Sequence, residues 1–208
     1  MAKQAYVYSG TDWVPLASEV TNLSNYQLSN GVGLKKIIPT SVAVGSGTGS
    51  VDSLGTVTFS GASSVSLNGV FTTTYDNYLI LIDKVGSGGL DVNLRLRAAG
   101  VDDSSANYQS QRLIADNTTV SATRTANATS SRFDNAQTAR SVTRLLISSP
   151  KLAEVTLFES LVVVLGATAT PSLVTFVGGL NTSTAYDSLT VFCSGSITGS
   201  VQVYGYKN

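Results

Sequence analysis

Histidine is absent from this 208-residue sequence, glutamate occurs only at Glu19, Glu154 and Glu159, and cysteine only at Cys193. Each shortage removes a class of chemistry. Without histidine there is no Ser-His-Asp or Cys-His nucleophilic triad, and the commonest zinc ligand is missing. One cysteine forbids an internal disulfide. Within Leu189-Thr-Val-Phe-Cys193 it reads as a small apolar strand residue. Glu154 and Glu159 lie an odd number of residues apart, so an undistorted strand sets them on opposite faces. A glycosidase pair instead needs two carboxylates about 5–9.5 Å apart across one cleft. Asp102-Asp103 lacks the spacing of a calcium loop and reads as a solvated turn. It is also where a polysaccharide depolymerase, the least favoured reading, would be sought. No catalytic set, metal site or cofactor is expected.

Charge is scarce as well. Charged residues make up 12% of the chain, about half the usual share, with 13 basic against 13 acidic. A phosphate backbone is held by clustered Lys and Arg, so nucleic acid is a poor partner. The longest apolar run, Leu161 to Ala167, is far below the roughly 20 residues of a membrane-spanning helix, and no membrane insertion is expected. Met1-Ala-Lys-Gln-Ala-Tyr6 has no apolar signal-peptide core, which predicts a soluble protein made in a cytoplasm. Gly45-Ser-Gly-Thr-Gly49 lacks the Lys-Ser/Thr and the helix of a phosphate loop, and reads as a linker.

What remains is a neutral chain rich in Ser, Thr, Asn and Gly with 42% hydrophobic residues, enough to fill a core. From Val51 onward its period is two. Leu90, Val92, Leu94, Leu96 and Ala98 alternate with Asp91, Asn93, Arg95 and Arg97, a half-buried strand. Tyr78-Leu-Ile-Leu-Ile-Asp83 is apolar on both sides, as in a strand covered on both faces. Gly86-Ser-Gly-Gly89 joins the two at hairpin length. Further strands are predicted at 56–59, 63–67, 108–114, 142–147, 154–166, 173–177, 189–193 and 199–206. About ten short strands with turns between them predict an all-β fold, a jelly-roll-like β-sandwich over residues 51–208.

Residues 1–50 predict an N-terminal arm: a small hairpin bearing Tyr6, Tyr8, Trp13, Pro15 and Leu16, then a glycine-rich joint. A hairpin of that size is not stable alone, so its aromatics must pack on the rest of the chain or on another chain. The segment 115–140, poor in large apolar residues, reads as an extended flap lying on a neighbour. Its Arg124, Arg132 and Arg140, with Arg95 and Arg97, are candidate subunit contacts. Tyr75, Tyr108 and Tyr186, near strand ends, are candidate receptor contacts or else half-buried caps of the sandwich.

The ordered segments Phe71-Thr-Thr-Thr-Tyr-Asp-Asn-Tyr-Leu-Ile80, Asn93-Leu-Arg-Leu-Arg-Ala-Ala-Gly100, Ala185-Tyr-Asp-Ser-Leu-Thr190 and Ile197-Thr-Gly-Ser-Val-Gln-Val-Tyr-Gly-Tyr206 resemble the C-terminal β-domains of tail-fibre-like appendage proteins of tailed phages. Tyr8-Ser-Gly-Thr-Asp-Trp-Val-Pro-Leu16 resembles a short motif of phage structural proteins, those of cyanobacterial phages in particular. The resemblance implies a virion protein, a short tail fibre, appendage or head or neck decoration. It also implies a homotrimer attached through its arm to other virion proteins. The alternative is a module that binds a host-surface glycan or protein.

Overall fold

The computed structural model describes residues 6–8, 11–15, 33–116, 118–165 and 171–207, and every regular element among them is a β-strand. Strands β1 (Tyr6–Tyr8) and β2 (Trp13–Pro15) pair antiparallel, with Tyr8 opposite Trp13 and Tyr6 opposite Pro15. That places four of the five predicted docking residues on the expected hairpin; Leu16 lies outside the described residues. The other strands are β3 (Lys35–Ile37), β4 (Ser41–Gly45), β5 (Thr48–Val51), β6 (Val57–Asn68), β7 (Asn77–Gly86), β8 (Leu90–Ala98) and β9 (Val101–Asp102). They continue with β10 (Tyr108–Asp116), β11 (Thr119–Ala128), β12 (Ser131–Ala136), β13 (Ser141–Ser148), β14 (Thr156–Leu165), β15 (Pro171–Leu180) and β16 (Ser188–Tyr206). These 14 strands form one antiparallel sheet. The fold is all-β, as expected, and the strands from β3 onward run together as one continuous sheet.

The sheet is creased. The first half of β16 lies between β8 and the end of β6, with Val191 opposite both Leu94 and Val65. Its second half lies between β7 and the start of β6, with Val201 opposite both Ile82 and Val57. Between them the register of β16 on β6 slips from Phe192 to Ile197. Glycines sit along this line. Gly61 in β6 has φ +63° and Gly47, between β4 and β5, has φ +64°. A Cβ on Gly47 would lie 2.1 Å from the Ser60 carbonyl oxygen, so only glycine lets the strands meet there.

The crease divides the sheet into a narrow limb (β4, β6, β16, β8, β12) and a broad limb (β16, β7, β13, β14, β15, β10, β11). Strand β12 touches β14, β15 and β10, so the narrow limb lies over the broad one. A shared core fills the space between, with Phe59, Val65, Leu94, Leu96 and Phe133 meeting Ile80, Ile82, Leu145, Ile147 and Phe158. Burial of each such side chain is worth about 1.5–3 kcal/mol. Tyr78 is central: its ring meets Phe71 edge-on at 4.8 Å, and its hydroxyl donates to Thr72 O at 2.9 Å and accepts from Thr72 N at 2.7 Å.

Three expectations change with this topology. Strands β7 and β8 are not a hairpin. Gly86–Gly89 passes the chain along one side of β16, from the broad limb to the narrow one. The glycine-rich joint is not a free linker either, because β4 and β5 run along β6 and β3 pairs with β16, so the sheet includes residues from Lys35 onward. Finally, 115–140 is not a single flap. Strand β11 is exposed along almost its whole length, but Phe133, Asp134 and Ala136 of β12 are fully buried.

Candidate functional site

Cross-strand register fixes what each face of the broad limb carries. Facing the core, one row runs Val203, Ile80, Leu145, Ser160, Phe176 across β16, β7, β13, β14 and β15. The opposite face is apolar too. One outer row runs Asp83, Val142, Val163, Leu173, Ala115, Val120 from β7 to β11. The next runs Leu81, Arg144, Leu161, Thr175, Leu113, and a third runs Leu79, Leu146, Glu159, Val177, Gln111, Arg124.

Leu79, Leu81 and Leu146 of these rows are half-buried, and the aliphatics toward β11 are open to solvent among the described residues. Leu157 is 58% exposed, Val163 53%, Leu173 50% and Val177 50%. Single exposed aliphatics are ordinary, but a contiguous field of them marks a contact surface. Polar groups punctuate it. Arg124, Arg144 and Glu159 project from this face, and none is hydrogen-bonded or ion-paired among the described residues.

One end of the face is hollowed into an open groove of about 660 Å³. Leu146, Leu157 and Val177 give it an apolar floor, while Gln109, Gln111, Arg124, Glu159, Asn181 and Tyr206 supply donors and acceptors. Gly179, on the outer face of β15, deepens it by withholding a side chain: a Cβ there would lie 3.1 Å from Leu157 Cδ2.

The predicted arginine contacts are mostly committed inside the chain. Arg97 donates through Nη1 to Asp102 at 2.7 Å, Thr190 at 2.8 Å and Ser66 at 2.9 Å. Arg95 donates to Thr129 O at 2.9 Å and stacks over the Phe192 ring. Arg132 is half-buried, pairs with Asp91 at 2.7 Å and faces the Phe176 ring. Arg140 forks onto Asp83 and holds its carboxyl below the usual range. Of the five, Arg124 alone has no hydrogen bond or ion pair among the described residues, and it lines the groove.

Two of the three tyrosines are corrected. Tyr108 and Tyr186 are enclosed, at 0% and 1% exposure, and burial raises both phenols above the ordinary value. Tyr108 accepts from Leu96 N at 2.9 Å and donates to Asp103 O at 3.0 Å, while Tyr186 donates to the Asp103 carboxylate. They brace the turn after β8 from within and have no surface to offer a receptor. Tyr75 is half-buried, its ring against Tyr78 and Gly205. Asp102 and Asp103 are held by Arg97, Ser105 and Tyr186 in the same turn. Cys193 is a buried strand residue, as read, and burial raises its thiol.

The outer apolar rows were the missed feature. The both-sided apolar pattern at Tyr78–Asp83 signalled them, and the same pattern recurs at Leu157–Leu165. Compared with known protein families and with curated proteins, the sequence matches none.

Proposed function

We propose that this chain is a non-catalytic structural subunit of a bacteriophage virion: a short tail fibre, an appendage or a surface decoration protein. In this reading it assembles as a homo-oligomer through the outer face of the broad limb. The observation that carries the assembly role is a mismatch. Strands β7 and β14 have the composition of strands covered on both faces, yet among the described residues Leu161 and Val163 on the outer side of β14 stand exposed.

A second copy is the occupant that fits. Arg124, Arg144 and Glu159 give the same patch both signs of charge, the condition for a surface to complement itself. The five strands β7, β13, β14, β15 and β10, at about 4.8 Å spacing, and four outer rows, the fourth running Ser148, Leu157, Gly179 and Gln109, make a face roughly 24 Å by 27 Å. That is comparable with the roughly 800 Å² per partner of a stable interface. Three copies, as the resemblance to tail-fibre-like β-domains implies, would also shield the exposed edge strand β11.

The virion setting is supported by that resemblance and by a neutral, hydroxyl-rich exterior that resists nonspecific adhesion. The protein would be made in the host cytoplasm, with the hairpin of Tyr6, Tyr8, Trp13 and Pro15 attaching it to the particle. Deleting residues 2–30, short of β3, tests the attachment. The truncated chain is expected to keep its β spectrum and disappear from purified particles, and normal incorporation contradicts the role.

A second reading is favoured by the groove. Amides at Gln109, Gln111 and Asn181 beside Tyr206, Glu159 and Arg124 are the equipment of a glycan-binding cleft. Binding of the isolated chain to host polysaccharide, lost in Arg124→Ala with Glu159→Gln, would support a receptor-binding module.

A further inference from the structure

The outer face leaves unexplained the most unusual pair in the core. Lys84 on β7 and Asp134 on β12 are both 0% exposed and directly paired, Nζ to Oδ2. A buried ion pair is a weak stabiliser, since desolvating two charges consumes what their attraction returns. The side chains that hydrogen-bond this pair are hydroxyls, while Arg132 and Asp83 act on it only through space. Ser141 and Thr143 of β13 are buried beside it, their Oγ atoms 3.1 Å and 3.4 Å from Nζ. Across the sheet Lys84 stands opposite Gly199 of β16 on one side and Ser141 of β13 on the other.

We propose that Lys84 and Asp134 join covalently, in an intramolecular isopeptide bond between Nζ and Cγ. A proton passing from Nζ to Oδ2 along their direct contact turns the ion pair into amine and carboxylic acid and leaves no charge in the interior. Burial accordingly raises the Asp134 carboxyl above its ordinary value, outweighing the pull of Lys84. The neutral amine attacks Cγ, the N–C bond forms and the C–Oδ2 bond breaks. The departing oxygen carries the carboxyl proton and one amine proton away as water. No oxidant, reductant or co-reactant is consumed.

Thr143 provides the proton path. Nζ donates to its Oγ1, and Oγ1 donates to Asp134 Oδ2, the leaving oxygen. A single hydroxyl thus connects the atom that loses a proton to the atom that gains one. Asn135 N donates to the other oxygen, Oδ1, where charge builds in the tetrahedral intermediate. The bond would tie β7 of the broad limb to β12 of the narrow one. It would close a 50-residue separation and keep the limbs together in the unfolded chain, as a disulfide does where no second cysteine exists.

Intact-mass and tryptic peptide measurements on the denatured full chain decide the matter. The expected mass is lower than that of the sequence by one water. The peptide ending at Arg95 should be uncut after Lys84 and joined to the peptide Phe133 to Arg140. Thr143→Val should restore the unjoined peptides and Thr143→Ser should retain the branch. Lys84→Met and Asp134→Ala should both show the full mass. A wild-type chain of full sequence mass, cut by trypsin after Lys84, overturns the proposal whether or not the variants fold.

Discussion

Gly199 stands directly opposite Lys84 across the β16–β7 pair, and a methyl group there would lie 2.0 Å from the Asp83 carbonyl oxygen and 2.8 Å from Lys84 Cα. Backbone, not a movable side chain, occupies that space. Gly199→Ala must therefore push β16 away from β7 just past the crease. The expected cost is about 1–3 kcal/mol, the usual range for overpacking, measured by urea denaturation.

Phe133 tests whether β12 is core or flap. At 1% exposure between the limbs, its replacement by Ala should cost about 3–5 kcal/mol. Val120→Ala on β11 should change stability by less than about 0.5 kcal/mol, because that side chain is 67% exposed. Equal effects would place β12 outside the core.

Arg97 separates an internal brace from a subunit contact. Its truncation to Ala leaves Asp102, Thr190 and Ser66 without their shared donor. The expected loss is roughly 1.5–3 kcal/mol, typical of hydrogen bonds to charged groups, with no change in oligomeric mass. Arg97→Lys should recover little, since one ammonium cannot also reach the Gly100 carbonyl as the guanidinium fork does.

The pH dependence follows from an unusual titration set. With no histidine, no side chain of ordinary pKa changes charge between about pH 5 and 8, and stability should be flat there. Asp134, once joined to Lys84, has no proton to exchange. On the acid side, the hydrogen bond from Arg140 lowers Asp83. Burial raises Asp103 and Asp187, but their hydrogen bonds outweigh it and leave both lowered. A depressed folded pKa contributes stability above the unfolded value of about 3.9, lost as pH falls through the folded value. On the alkaline side, burial raises Tyr78, Tyr108 and Tyr186, so stability is lost as pH rises above about 10. Tyrosinate absorbance should show those three ionising only as the chain unfolds.

Strand existence was legible in this sequence because alternation survives in β8, β13 and the second half of β16. Continuity was not. Residues 56–59 and 63–67 read as two strands, as did 189–193 and 199–206, because glycine and serine between them look like turns. In the structure those residues form the crease, where β6 and β16 bend without ending. Strand pairing failed for the same reason at Gly86–Gly89, where a loop of hairpin length joins strands that do not pair. The site was half legible. Apolar residues on both sides of Tyr78–Asp83 implied cover on both faces, yet which strands lie beside β7 is a long-range fact. Only that neighbourhood turns Val142, Val163 and Leu173 into one surface. Tyr108 and Tyr186 misled because a tyrosine at a strand end has the same local sequence whether its hydroxyl meets solvent or Asp103.

Self-association through the outer face is tested most directly by the light-scattering mass of the purified full chain. The account predicts an integral multiple of the 21.6 kDa chain mass. It also predicts that Leu161→Lys with Val163→Lys lowers that mass to a single chain while the β spectrum persists. A wild-type chain that remains at 21.6 kDa across the accessible concentration range would contradict it.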